Sequence, residues 1–247
     1  MQVSRMRIAI VSGVSRGLGE ALARALLAGG FAVTGIGRAS AATLSGANYR
    51  FVACDLADTI NTDAVLTPVF RAIAEARPEF VCLINNAATA GPVGTIGSLE
   101  PSALAASMAT NLLAPVTLAN LFCRLLVSPA QGRRIINVSS GAADSPLPGG
   151  GPYSIAKAGL EMLTRQLAAE HDGPKFRAIT VRPGVIDTDM QTFMRSQTKE
   201  TLPSIELFKG FHREQRLVAP ETVAGKIVDK LVSGEVEQGR TYNYREL

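Results

Sequence analysis

The chain has 247 residues, of which 47% are hydrophobic and 19% are charged. This composition is typical of a compact globular protein and is too apolar for a disordered chain. The net charge is +4, but no basic run or interleaved aromatic stripe of the kind that binds nucleic acid is present. A phosphorylated small molecule is therefore the expected anionic partner.

The cysteines and histidines argue against a disulfide-linked protein and against a metal-binding protein. Cys54, Cys82 and Cys123 are odd in number and lie in apolar stretches, so we expect buried thiols in the reducing cytoplasm rather than disulfides. With two histidines and no paired cysteines, we expect no metal site.

The apolar run 8–11 is too short for a secretion signal. The uncharged stretch 101–123 contains Asn, Pro, Ser and Thr, so we expect a buried helix and no membrane span.

Short apolar runs alternate along the chain with longer segments of helical period. The predicted strands are 8–11, 31–36, 51–53, 80–84, 135–138 and 178–181. The predicted helices are 18–28, 63–76, 103–127, 153–170 and 220–232. Strands that are apolar throughout are typical of a parallel sheet covered on both faces. We therefore predict an α/β fold, a Rossmann-type doubly wound parallel sheet flanked by helices, in one domain over residues 1–247.

The segment 188–218 departs from this alternation, because it is longer and more polar than its neighbours. It carries apolar side chains among its charges: Met190, Phe193, Met194, Phe208 and Phe211. Such an insertion in a compact domain is often a lid over a site. The alternative is a surface helix pair with an ordinary apolar face.

A glycine-rich loop, residues 12–19, follows the first predicted strand and precedes a helix. Its spacing Gly-x-x-x-Gly-x-Gly lets backbone N–H groups and a helix N-terminus approach a pyrophosphate. Tight turns also need glycine for conformational reasons alone, but the position after the first strand favours a dinucleotide site. The predicted cofactor contacts in this loop are Gly13, Ser15, Arg16, Gly17, Leu18 and Gly19.

Charge indicates which dinucleotide is bound. A site for NAD usually carries an acid about 20 residues after the loop, whereas arginine suits a 2′-phosphate. No acidic residue lies between Ala21 and Cys54, and the second strand is followed by Arg38. Arg38 and Arg16 together can hold a phosphate with charge-assisted hydrogen bonds, so we predict NADP(H). The alternative is that Arg38 is a solvated residue at a strand end.

Polar residues also follow the third and fourth strands. Asp55 and Leu56 come after the third, and Asn86 and Ala87 after the fourth. Asp55 is expected to accept a hydrogen bond from the adenine amino group, and the backbone at Asn86 and Ala87 to meet the cofactor. Asp and Asn are also common in turns after strands, which is the alternative for each.

Tyr153 and Lys157 are four residues apart, a spacing that places both on one face of a helix. A nearby ammonium favours phenolate, and lowering a tyrosine pKa from about 10 to about 7 requires about 4 kcal/mol. Tyr153 is therefore a candidate proton donor near neutral pH. Ser140 lies thirteen residues before Tyr153.

Together these motifs resemble the short-chain dehydrogenase/reductase family, in the family's order over almost the whole chain. The matching motifs are the glycine loop, Asp55-Leu56, Asn85-Asn86-Ala87, Asn111, Val138-Ser139-Ser140, Tyr153-x-x-x-Lys157 and Arg182-Pro183-Gly184. The resemblance implies that Tyr153 is the general acid of carbonyl reduction and that Ser140 holds the substrate oxygen. It also implies that Lys157 lowers the tyrosine pKa and binds the nicotinamide ribose, while Asn111 holds a water linking Lys157 to solvent.

The turn after the sixth strand extends this resemblance. It implies nicotinamide contacts from Pro183, Gly184, the backbone of Ile186 and the hydroxyl of Thr188. The following residues and the C-terminal stretch 239–244 resemble the branch of sepiapterin and benzil reductases. Asn243 stands where sepiapterin reductases are expected to carry a pterin-binding aspartate, so charge-assisted recognition of a pterin would be lost.

These observations lead to one expected function and two alternatives. We expect NADPH-dependent reduction of a small ketone or dicarbonyl, in a pocket built from 142–151 and 188–218, with the glycines at 149–151 leaving room for a bulky group. A 3-oxoacyl-thioester reductase is the second reading, in which Arg195, Lys199, Lys209 and Arg213 would meet an acidic carrier protein. A non-catalytic NADP(H) sensor is the third.

The apolar helices 103–127 and 153–170 suit contact with another subunit, and the resemblance implies a homodimer or homotetramer. Burial of these helices within one chain is the alternative.

Overall fold

The computed structural model of the chain describes residues 6–128 and 131–247. Seven parallel strands form one sheet in the order β3-β2-β1-β4-β5-β6-β7. The strands are β1 Arg7–Ser12, β2 Ala32–Gly37, β3 Tyr49–Ala53, β4 Phe80–Asn85, β5 Gly132–Val138, β6 Phe176–Arg182 and β7 Thr241–Asn243. The strand order reverses beside β1, which opens a crevice at the carboxyl ends of β1 and β4, where doubly wound sheets bind their ligands.

Helices cover both faces of this sheet, and the predicted α/β doubly wound fold is confirmed. They are α1 Gly17–Ala28, α2 Thr59–Glu75, α3 Pro101–Met108, α4 Ala114–Leu125, α5 Gly151–Glu170, α6 Asp189–Arg195, α7 Ile205–Arg213 and α8 Pro220–Lys226. A π-helical turn, Ala109–Leu113, joins α3 to α4, and a second, Ile227–Val232, continues α8.

Each face of the sheet has its own apolar core. On one face, Leu22 and Leu26 of α1 pack with Val223 of α8 against the strands. On the other, Phe70 of α2 and Phe122 of α4 are fully buried against the sheet. Burying a side chain of this size contributes about 1.5–3 kcal/mol. Two covered faces explain why the strands are apolar throughout.

All six predicted strands are present, and the sequence interpretation missed β7. This strand has three residues, of which only Tyr242 is buried, so it has no apolar run to reveal it. It is held by pairing with the end of β6, where Val181 lies opposite Tyr242. Such a pairing joins segments far apart in the sequence and leaves no local signal.

The segment 188–218 is closed at its base and packed onto the domain. The N–H of Asp187 donates to the Val218 carbonyl, and the N–H of Val218 donates to the Val185 carbonyl, both at 2.9 Å. Residues of α6, α7 and their connection form a third apolar cluster with the loop after β4; its buried members are Ala90, Met194, Leu202, Ile205 and Phe208. The segment therefore packs an apolar face onto that loop, which fits both a lid over a site and a surface helix pair with an ordinary apolar face.

The continuous helix Pro101–Leu125 has the length and apolar character of a membrane-crossing helix, a property that core helices of soluble proteins share. Only 33% of its most apolar window is buried. Leu113 and Val116 lie on its open face, 50% and 40% exposed.

Candidate active site

Ser140, Tyr153 and Lys157 come together at the carboxyl edge of the sheet. Ser140 lies just past the end of β5, where its Oγ accepts a hydrogen bond from the Ala142 N–H at 3.2 Å. Tyr153 lies in the first turn of α5 and Lys157 one turn later. The side chains of Tyr153 and Ser140 are hydrogen-bonded to each other. The structure thus joins two hydroxyl groups from residues thirteen apart and sets a lysine beside them.

Lys157 is buried and held by the backbone. Its Nζ donates to the Val138 carbonyl at 2.8 Å and lies 5.4 Å from the centre of the Tyr153 ring. The residue is only 2% exposed. Burial lowers its pKa from 10.5 to about 8, because the charged form loses its hydration. The ammonium therefore remains the main form near neutral pH.

The expected lowering of the Tyr153 pKa is not what the structure shows. Burial raises the pKa of Tyr153 above its ordinary value of 10, and the hydrogen bond with Ser140 only partly opposes this. The spacing of Tyr153 and Lys157 predicted an ammonium beside the phenol. In the structure Lys157 Nζ is directed to the Val138 carbonyl, and the burial that brings the residues together favours the neutral phenol.

Asn111 joins the α3–α4 helix to the loop after β4. It is fully buried in the π-helical turn between α3 and α4. Its Oδ1 accepts from the Thr89 N–H at 2.8 Å, and its Nδ2 donates to the Thr89 carbonyl at 2.9 Å and to Ser107 Oγ at 3.2 Å. The side chain therefore holds the loop after β4, and a water held at Asn111 to link Lys157 to solvent stays a prediction.

The glycine loop has the geometry that the sequence predicted. Gly13 and Gly17 have φ angles of 76° and 59°, in the region that favours glycine. A Cβ on Gly19 would lie 1.9 Å from the Gly13 carbonyl oxygen, so this position admits no side chain. Asn86 Nδ2 donates to the carbonyls of Ser12 and Gly13 at 3.0 and 3.2 Å. Asn86 thus shapes the loop.

The N-terminus of α1 is open toward the crevice. Arg16 occupies the N-cap position, and no side chain there bonds the first backbone N–H groups of α1. Such groups, together with the helix dipole, form a ready binding site for an anion. Leu18 is buried beneath the loop, and Ser15 is exposed at its tip. These residues fit a pyrophosphate.

The two arginines assigned to the 2′-phosphate are both exposed. Arg38 follows the last residue of β2. Arg16 Nη1 lies 3.1 Å from Asp189 Oδ2, at the start of α6. Asp55 is exposed beyond β3, where one carboxylate oxygen accepts from the Ala57 N–H at 3.0 Å, and Leu56 is buried beside it. Asp55 is therefore partly committed to its own turn.

The turn after β6 faces the glycine loop across the crevice. A Cβ on Gly17 would lie 3.2 Å from Thr188 Cγ2, which measures how closely the two loops approach. Pro183 is buried, and Gly184 has a φ angle of 77°. Asp187 and Val185, the two neighbours of Ile186, are each hydrogen-bonded to Val218. Neither of these bonds uses the N–H or C=O of Ile186.

The glycines at 149–151 do not open a space, contrary to expectation. A Cβ on Gly149 would lie 2.6 Å from the Thr201 carbonyl oxygen, and one on Gly150 would lie 2.6 Å from Leu147 Cδ2. These glycines instead allow the segment 188–218 and residue 147 to pack against the start of α5.

A partly buried charge cluster behind Ser140 was not predicted from the sequence. Arg182 Nε and Nη2 donate to the two oxygens of Glu161 at 2.8 and 2.7 Å, and Nη2 also donates to Asp144 at 2.7 Å. Ser139 Oγ donates to the same Glu161 oxygen at 2.7 Å. Both carboxylates raise the pKa of Arg182. The sequence held one sign of this cluster. Glu161 is four residues after Lys157, so both lie on the same face of α5.

Within residues 6–128 and 131–247, no group of three or more His, Cys, Asp or Glu side chains is placed to hold a metal ion. Cys54, Cys82 and Cys123 are free thiols. Burial raises the pKa of Cys82 to about 12 and that of Cys123 to about 11, so neither is a thiolate near neutral pH.

Comparisons with known proteins agree with this fold. The family model described as short chain dehydrogenase matches residues 7–199. Benzil reductase ((S)-benzoin forming) of Bacillus cereus is 33% identical over 249 residues, covering 98% of this chain and 100% of the relative. Sepiapterin reductase of Meriones unguiculatus is 32% identical, covering 94% of each chain.

A solved structure shows the same architecture. The 3-oxoacyl-[acyl-carrier protein] reductase from Brucella melitensis in complex with NAD matches with a TM-score of 0.80 and 26% identity, over 97% of this chain and 95% of that one. The chain therefore belongs to the short-chain dehydrogenase family, as its motifs predicted. It is an oxidoreductase of a family that binds a nicotinamide cofactor.

Proposed function

We propose that this protein reduces a small aromatic ketone or dicarbonyl to the alcohol with NADPH. The observation that carries the proposal is the hydrogen-bonded pair Ser140–Tyr153 with Lys157 one turn away on α5. The benzil reductase similarity covers 98% of this chain and 100% of the relative, and it supports this class of substrate.

In this proposal the substrate oxygen lies between the hydroxyl groups of Ser140 and Tyr153. A nicotinamide cofactor held by the glycine loop and the turn after β6 would supply a hydride to the carbonyl carbon. Tyr153 donates the proton, and its raised pKa keeps it protonated until the developing alkoxide draws the proton away. Ser140 donates to the same oxygen, and the nearby Lys157 ammonium stabilises the charge left on the phenol oxygen.

The residues of the crevice fit the proposed NADP(H). The open N-terminus of α1 suits the pyrophosphate. We propose that Asp55 and Leu56 meet the adenine and that the backbone at Asn86 and Ala87 meets the cofactor. Arg38 is free to meet a 2′-phosphate. Arg16 can join it, because an exposed ion pair such as Arg16–Asp189 contributes only about 0–1 kcal/mol and is readily exchanged.

The substrate side favours an aromatic group over a pterin. Phe193 lies against Gly91 and is 40% exposed, and Met190 packs against the apolar cluster of segment 188–218. Asn243, at the position expected to recognise a pterin, donates its amide to Glu246 at 2.7 Å. We propose that segment 188–218 acts as the lid over this apolar site.

The 3-oxoacyl-thioester alternative rests on the solved neighbour of that name. A basic surface for an acidic carrier protein would have to come from segment 188–218. There Lys209 pairs with Glu206 at 3.3 Å, and Arg195 Nη2 donates to Thr192. The Glu206 carboxylate offsets the charge of Lys209, so this alternative ranks second. A non-catalytic sensor would not need the assembled Ser140–Tyr153–Lys157 arrangement, so it ranks third.

We further propose a single domain over residues 1–247 that works in the cytoplasm as a homodimer or homotetramer. Leu113 and Val116 on α3–α4, with Ile155 and Met162 on α5, leave exposed apolar side chains for a second copy. Light scattering after size-exclusion chromatography tests the assembly. A monomer at micromolar concentration would contradict it.

The function is tested by a carbonyl panel assayed with NADPH and with NADH. The panel contains benzil, simple diketones, aryl aldehydes, sepiapterin and an acetoacetyl thioester. We expect turnover of benzil or diketones, with NADPH preferred. A preference for sepiapterin or the thioester would move the assignment to the corresponding relatives. Binding of NADPH without any turnover would favour the sensor.

A further inference from the structure

The Arg182 charge cluster joins three parts of the site that belong to different elements. Arg182 is the last residue of β6, directly before the turn assigned to the nicotinamide. Glu161 lies on α5, one turn after the candidate lysine. Asp144 ends the short turn that begins at Ser140. The Arg182 and Glu161 side chains are 17% and 12% exposed. Solvent and salt therefore screen this ion pair less than they screen an exposed pair.

This cluster fixes the chain on both sides of Ser140. Before it, Ser139 donates its Oγ to Glu161 and its N–H to the Val181 carbonyl at 2.8 Å. After it, Asp144 accepts hydrogen bonds from two nitrogens of Arg182. Bidentate arginine–carboxylate bonds fix orientation as well as distance. The Ser140 turn is thereby held against α5, which carries Tyr153.

We propose that Arg182 and Glu161 are positioning residues that hold the Ser140 turn against α5 so that the Ser140 and Tyr153 hydroxyl groups meet one substrate oxygen. Neither residue touches that oxygen. The inference rests on the function proposed above. It matters for rate because a displacement of about 1 Å in a reacting group can cost about 100-fold.

A purely stabilising role is the competing explanation, and the chain contains a matched control. Arg240, just before β7, also lies between two carboxylates, Glu237 and Glu246. It joins the strand end to the C-terminal turn and lies outside the Ser140 turn and α5. Loss of the Arg240 pairs tests stability alone.

The experiment compares Glu161→Ala, Glu161→Gln, Asp144→Asn and Arg240→Gln with the wild type. The first readout is the single-turnover rate constant of NADPH oxidation, with whichever carbonyl the wild type reduces. This rate constant does not depend on the fraction of protein that is folded. The second is hydrogen exchange in residues 140–144 and in the first turn of α5, which needs no substrate. NADPH affinity and Tm are measured alongside.

We expect Glu161→Ala to slow the single turnover by about 10-fold or more. Glu161→Gln keeps one oxygen that accepts from Ser139 and Arg182 Nε but loses the oxygen that accepts from Arg182 Nη2, so it should recover only part of the rate. Asp144→Asn, at a 60% exposed side chain, should slow the turnover by about 3-fold without a folding defect. Exchange at 140–144 should rise in Glu161→Ala and Asp144→Asn, and Arg240→Gln should match the wild type in both readouts.

Two results would overturn the inference. One is an unchanged single-turnover rate in Glu161→Ala and Asp144→Asn with only Tm lowered, and the other is unchanged exchange at 140–144 in both variants. If the wild type reduces no carbonyl, the proposed function fails, and the exchange measurement alone then decides whether the cluster positions the turn.

Discussion

The two sides of the crevice hold their charged groups in opposite ways. On the nucleotide side, Arg16 is 75% exposed and its partner Asp189 is 71% exposed, and Arg38 is exposed beyond β2. On the catalytic side, Lys157 is 2% exposed and bound to a carbonyl, and Arg182 is held by two carboxylates. Exposed arginines can exchange water for a phosphate at little cost. Buried, paired groups are already organised for charge that develops during a reaction.

The largest effect is expected on the catalytic side, from Tyr153→Phe. The change removes one hydroxyl and leaves the ring, so the protein should still fold. Its dissociation constant for NADPH should stay within about 2-fold of the wild-type value. Turnover should fall by about 1,000-fold, because a positioned general acid contributes about 100- to 10,000-fold. Steady-state kinetics with a fluorescence titration of NADPH checks both. Turnover near the wild-type level would remove Tyr153 from the proposed role.

The next effect is a stability cost of the buried Lys157. Between about pH 8 and 10.5 the unfolded lysine binds a proton that the folded lysine has lost. The free energy of unfolding therefore rises with pH in this window, and the cost is fully present below pH 8. Relative to Lys157→Met, the wild type should gain about 3 kcal/mol across the window.

Urea unfolding of both proteins at several pH values measures this difference. The buried cysteines also titrate in this range, with the opposite sign, but they are common to both proteins and cancel. Parallel pH curves would show that the Lys157 pKa is not lowered by burial.

A smaller effect is expected on the nucleotide side, from Arg38→Asp. A charge-assisted hydrogen bond contributes about 1.5–3 kcal/mol, so NADPH affinity should fall by about 10- to 100-fold. NADH lacks the 2′-phosphate and should be little affected. Arg50→Asp, at an exposed arginine on β3, controls for the change of charge. Equal losses for both cofactors would refute the 2′-phosphate assignment.

Features set by local spacing were predictable from the sequence. The glycine loop follows from three glycines at fixed intervals, and the shared face of Tyr153 and Lys157 follows from helical periodicity. The strands of a covered parallel sheet are recognisable as short apolar runs. These predictions depend on residues close together in the chain, where geometry is fixed by the backbone.

Features set by contacts between distant segments were not predictable. The partner of Lys157 is a carbonyl 19 residues away, and Arg182 meets Asp144 across 38 residues. The Tyr153 pKa depends on burial, which is a property of the assembled fold. The packing of Gly149 against the segment 188–218 likewise exists only in three dimensions.

Transfer of deuterium from NADPH to benzil tests the central claim most directly. The protein is incubated with benzil and with NADPH that carries two deuterium atoms at C4 of the nicotinamide. The reaction is quenched early, and the product is analysed by mass spectrometry. We expect benzoin with one deuterium on the carbinol carbon, formed by the wild type and almost absent with Tyr153→Phe. Unlabelled benzoin, or no reduction of benzil or of any other carbonyl in the panel, would contradict the proposed hydride transfer.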